Sequence, residues 1–114
     1  MTFRYQTRCS GEPFTGHLGF GILNAEEKFL FATMTHHLQI PPICFSGVQE
    51  GAIEISSMIF QGDNVRAVLA VLDVHALLLI DVFYSEPFAV VGKRPDMGLF
   101  WMDHVWRPPG SAAC

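Results

Sequence analysis

At 114 residues the chain can bury one hydrophobic core and is too short for two. Only 16% of it is charged and the net charge is −4, where soluble domains average roughly 25% charged residues. The arginines and the two lysines, Lys28 and Lys93, are scattered singly. That excludes the basic stripe of a nucleic-acid binder and the polybasic run of a membrane-surface protein. So little polar cover predicts a homodimer or higher homo-oligomer, with a second copy of the chain covering part of the surface.

Residues 1–106 read as one globular domain, and 107–114, with two prolines, a glycine and small residues, as a flexible tail. Cys9, Cys44 and Cys114 are odd in number and irregular in spacing, so no disulfide framework is implied. Cys44, between Ile43 and Phe45, is expected to be a buried and inert thiol. The first residues lack the charged-then-apolar layout of a signal peptide. The expected location is cytoplasmic.

From the N-terminus, Phe3, Tyr5 and Thr7 alternate with Arg4, Gln6 and Arg8, the period of a half-buried strand. Turn chemistry follows at Cys9–Pro13. Phe14, Gly16, Leu18, Phe20 and Ile22 then predict a returning strand, and so an N-terminal hairpin. Asn24 with Glu27 three residues later predicts a helix start, running to about Leu38 before Pro41-Pro42. The same stretch also alternates as a strand through Phe29, Phe31 and Thr33. Ile43–Phe45 reads as a short buried strand. Ser46 and Gln49 form a second capping box, followed by an amphipathic pattern that predicts a helix ending at Gly62.

Nineteen residues from Val65 to Phe83 contain four that are not apolar: Arg66, Asp73, His75 and Asp81. On a helix the first, second and fourth of these share an arc of roughly 80°, which predicts a buried helix with a narrow polar stripe. The three formal charges argue against a membrane span. Two strands turning at Asp73–His75 are the alternative, disfavoured because neither Gly nor Pro sits at that turn. Phe88–Val91 and Gly98–Trp106 read as a C-terminal hairpin around a loop at Gly92–Asp96. The resulting fold class is α+β: an antiparallel sheet built from the N- and C-terminal hairpins, with about three helices packed on one face. An all-β barrel is the alternative, since strand-like pieces also recur at short intervals.

Chemistry is thinly marked. Adjacent His36 and His37 diverge on a helix or a strand and cannot share a metal, so no metal site is expected, and no motif implies a cofactor. Asp73, His75, Asp81 and His104, with Asp103 beside the last, are ionisable groups in apolar segments. Brought together they would make the acid–base pair of a small hydrolase- or isomerase-like enzyme. Ten phenylalanines and two tryptophans are a heavy aromatic load. Phe14, Phe20, Phe29, Phe31, Phe88, Phe100 and Trp101 are the candidates to line a pocket for a small apolar or aromatic ligand. Three functions are therefore compatible with the sequence: an oligomeric ligand-binding module, an Asp–His enzyme, or a protein–protein adaptor.

Overall fold

A computed structural model describes residues 1–55, 62–90 and 104–109. Its elements are β1 (Thr2–Leu23), β2 (Phe29–Met34), β3 (Ile43–Ile55), β4 (Gly62–Asp73), β5 (Leu79–Tyr84), β6 (Phe88–Val90) and β7 (His104–Arg107). All seven join one antiparallel sheet in the order β5-β4-β1-β3-β7, with β2 on β1 and β6 on β4. The described residues contain no helix, so the α+β expectation is overturned and the protein is all-β.

The organising element is β1, twenty-two residues long. Thr2 to Cys9 pair with Glu54 to Gly47 of β3, and Phe14 to Gly16 pair with Phe45 to Ile43. Between them the register slips, setting Ser10–Pro13 opposite a single residue of β3. A bulge of that kind bends both strands together, and Gly47 accommodates the bend at φ +57°. The expected turn at Cys9–Pro13 is therefore a bend within one continuous strand, and no N-terminal hairpin forms. The two halves of β1 still face each other, because the Phe3 and Phe20 rings lie 5.0 Å apart. They meet through side chains across the core instead of through a ladder.

Beyond the bend, Gly16–Leu23 are buried without interruption. β4 runs along Gly16–Leu23, and β2 pairs with Gly19–Leu23. Leu18, Phe20 and Ile22 point into the core with Phe31, Ile43, Phe45, Ile53, Ile55, Val65, Ala67 and Trp106. On the opposite face Gly19 and Gly21 leave room for neighbours: a Cβ on Gly21 would collide with the Phe29 ring, and one on Gly19 would touch Leu72. On the core face a Cβ on Gly16 would collide with the Leu72 carbonyl.

Each expected helix fails for a local reason. Asn24 does cap, but its Oδ1 accepts the N–H groups of Glu26 (3.0 Å) and Lys28 (2.9 Å) in a tight turn, with Glu27 at φ 62°. Phe29–Met34 then follow the alternating pattern and pair with the available edge of β1. Ser46 and Gln49 also interact as a capping box would: the Ser46 N–H donates to Gln49 Oε1 at 3.1 Å. Gln49 Nε2 donates to the Cys44 carbonyl at 2.9 Å, and the pair brackets the kink at Gly47 inside β3. Ile43–Phe45 form a strand as read, continuous with the segment expected to be helical.

The long apolar segment divides into β4 and β5, the two-strand alternative. Asp73 supplies what Gly or Pro was expected to supply. Its Oδ1 accepts the N–H groups of Leu77 (2.7 Å) and Leu78 (3.1 Å), and Ala76 takes the left-handed conformation at φ 56°. Among the described residues the C-terminal strands are not paired with each other. Phe88 of β6 pairs with Val65 of β4, and Trp106 of β7 pairs with Ile53 of β3. The 56–61 part of the second expected helix, Gly92–Asp96, residues 98–103 of the last expected strand and the tail beyond 109 lie outside the described residues.

No helix among the described residues is long and apolar enough to cross a membrane.

Candidate functional site: an aromatic cleft over the bent sheet

Because β1 bends and folds over, it leaves a cleft of about 760 Å³ between its N-terminal half and β4–β5. Phe3, Tyr5, Phe14, Phe20 and Phe45 line one side, and Leu69, Val71 and the stretch Ile80–Phe83 the other. The rings are mutually supported. Phe14 stacks on Phe45 at 5.0 Å and 25° between planes, and Phe3 lies between Phe20 and Phe88, 5.8 Å from the latter. Such interlocked rings hold a fixed shape, which a binding site needs to avoid losing affinity to reordering.

Two polar side chains of this wall are unusual. The Tyr5 hydroxyl and Thr7 Oγ1 are buried and have no hydrogen-bond partner among the described residues. The Tyr5 ring lies against Gly51, its cross-strand neighbour, which has no Cβ to push it away. Burial pushes the Tyr5 pKa up to about 12, so the phenol stays neutral and keeps its proton to donate at any ordinary pH. Arg4, Arg8, Asp81 and Ser85 also border the cleft.

Of the seven aromatic residues expected to line a pocket, Phe14 and Phe20 do so. Phe31 is sealed in the core. Phe29 lies outside the cleft, half-exposed over Gly21. Phe88 packs behind Phe3. Phe100 and Trp101 lie outside the described residues.

The four acid–base candidates are distributed over three places. Asp73 and His75 share the β4–β5 turn. Asp73 sits below the usual carboxylate range because the Leu78 and Leu77 N–H groups bind its carboxylate, with a smaller contribution from His75. Asp81 is exposed on β5, where its carboxylate accepts the N–H of Val82 at 2.8 Å. His104 stands on β7, its Nε2 2.9 Å from Thr33 Oγ1 and its ring edge-on to Phe31 at 5.1 Å. Asp103 lies outside the described residues.

A histidine that sequence reading passed over is buried more deeply than any of these. His17 is 3% exposed, and its Nδ1 lies 2.9 Å from Thr35 Oγ1. That same oxygen accepts the Leu18 N–H at 3.0 Å. Burial, and then the nearby His36 ring at 5.1 Å, lowers the His17 pKa from its ordinary value. His36 and His37 sit in the turn after β2, not at a helix C-terminus, with ring centroids 5.9 Å apart. Among the described residues no group of three or more His, Cys, Asp or Glu is placed to hold a metal ion. Cys44 is buried as expected, but disulfide-bonded and not the free thiol read from its apolar neighbours.

Sequence reading missed Phe3, Tyr5, Thr7 and Phe45 as cleft residues. The only signal was the alternation Phe3-Tyr5-Thr7, which marks an inward face without saying what it faces. No family model matches the chain, and neither does a curated protein or a solved structure.

Proposed function

We propose that the protein is a binding module for a small apolar or aromatic ligand held in the cleft between the N-terminal half of β1 and β4–β5. The observation that carries this reading is the cleft's composition: interlocked rings around about 760 Å³, with Tyr5 and Thr7, whose hydroxyls are buried and without a partner among the described residues, in the same wall. Ligand sites typically occupy roughly 300–1,000 Å³ and combine an apolar lining with a few orienting polar groups. A neutral, buried phenol suits a ligand that accepts a hydrogen bond and carries no formal charge.

The test is a thermal-shift screen of apolar and aromatic compounds, repeated on Phe14→Ala. A stabilising compound is expected, with affinity for the variant lower by about tenfold, as loss of a stacked-ring contact worth about 1.4 kcal/mol implies. A panel with no stabiliser, or one whose effect ignores Phe14, contradicts the reading.

A further inference from the structure

Among the described residues the barest strand is β5. All six of its residues are exposed, including Leu79 at 60% and Phe83 at 69%, and the turn before it adds Leu77 at 81%. An apolar strand left open at a sheet edge is a template for another strand. Its inner edge is bonded to β4, with Val71 opposite Asp81 and Leu69 opposite Phe83.

The ladder shows which groups point away from β4. The Val82 N–H is taken by the neighbouring Asp81 carboxylate, so it is not given to β4. The Ser85 N–H donates inward, to the Ala67 carbonyl at 2.8 Å. Along an antiparallel strand these directions alternate. Val82 and Tyr84 therefore turn their N–H and C=O groups to the open edge, which has no partner among the described residues; the alternation ends at Ile80, where the register with β4 shifts.

We propose that this edge pairs with the same edge of a second copy of the chain, antiparallel, about a two-fold axis at Val82. Only outward-turned residues can exchange bonds with one another, which restricts the register. Centring the axis on Asp81 would set two carboxylates directly opposite, a destabilising arrangement. Centring it on Val82 sets Val82 against itself and Asp81 against Phe83, with no like charges opposed, short of the register shift at Ile80. Val74, Leu77–Ile80 and Val82–Tyr84 together expose roughly 800 Å², about what each partner contributes to a standard stable interface. A chain only 16% charged is short of residues to keep that surface wet.

Asp81 is the gate of this edge. In the separate chain its carboxylate occupies the central outward donor, and it must swing aside for the Val82 N–H to reach the second copy's Val82 carbonyl. The pairing goes beyond the ligand-binding reading and does not depend on it.

Sedimentation of the full chain, combined with substitutions at residue 82, tests the proposal. At micromolar concentration the unsubstituted protein is expected at twice the chain mass. Val82→Lys, which faces its own charge across the axis, is expected at the single-chain mass with an unchanged circular dichroism spectrum. In a Cys9→Ser background, Val82→Cys is expected to form a covalent dimer under mild oxidation. Opposed residues in such a pair have Cα atoms about 5.5 Å apart, within disulfide range. Leu79→Cys, which lies off the axis, is expected to cross-link at least tenfold more slowly. A single-chain mass for the unsubstituted protein, a dimer that survives Val82→Lys, or equal cross-linking at 79 and 82 each overturns the proposal. The cross-linking comparison decides the matter even where the lysine variant fails to fold.

Discussion

Gly16–Leu23 in β1 and Leu79–Tyr84 in β5 are both largely apolar strands, yet the first is buried at every residue and the second exposed at every residue. The first has strands on both edges and glycines on one face that let Leu72 and Phe29 close over it. The second has one bonded edge, no glycine and large side chains on both faces. Hydropathy alone does not separate them. What separates them is whether neighbours can come close enough to exclude water.

The largest expected effect lies in the buried strand. Leu18→Ala removes a side chain with no exposure at the heart of the core. It should cost about 2–5 kcal/mol in a denaturant melt. Leu79→Ala, the same change on the exposed strand, should cost under about 0.5 kcal/mol at concentrations where the chain is single. Equal losses would erase the distinction between the two strands. Next in size, Thr35→Val removes the oxygen that receives the Leu18 N–H and lies beside His17 Nδ1. Leaving buried polar groups unpaired should cost about 1–3 kcal/mol, measured in the same melt.

A smaller effect is expected with pH. His17 has a lower pKa folded than unfolded, so the unfolded chain binds more protons across the interval between the two values. Stability should therefore be full above about pH 6.5 and decline as pH falls through that interval. Replacing His17 with Gln should flatten this part of the pH–stability profile, and a slope unchanged in the variant would assign the titration elsewhere. The smallest effect is at the open edge. Asp81→Ala frees the Val82 N–H and removes a charge, and should tighten self-association severalfold in sedimentation. Weaker association would refute the gating role of Asp81.

Several local features were legible in the sequence. The alternation at Phe3–Thr7, the strand at Ile43–Phe45, the capping role of Asn24 and the Ser46–Gln49 contact all recur in the structure. What these features serve was not legible. Asn24 can cap a helix or close a turn, and a capping box can start a helix or brace a kink. The choice fell to the long-range ladders of β1, which no local window contains. The β4–β5 turn shows the same limit. Asp73 binding Leu77 and Leu78 makes a turn without glycine or proline, and that depends on two strands already being held side by side. For the same reason the cleft was only partly anticipated. Phe14 and Phe20 were picked for their aromatic character, while Phe3, Tyr5 and Phe45 join them only because β1 folds back on itself.

Amide hydrogen exchange, read residue by residue at two protein concentrations, tests most directly whether β1 is the sheet's covered centre and β5 its open edge. Leu18–Ile22 should exchange slowly at both concentrations. Val82 and Tyr84 should exchange fast when dilute and become protected on concentration, while Asp81 and Phe83, bonded inward, change little. Uniform protection along β5 at low concentration, or rapid exchange within Leu18–Ile22, would contradict the account.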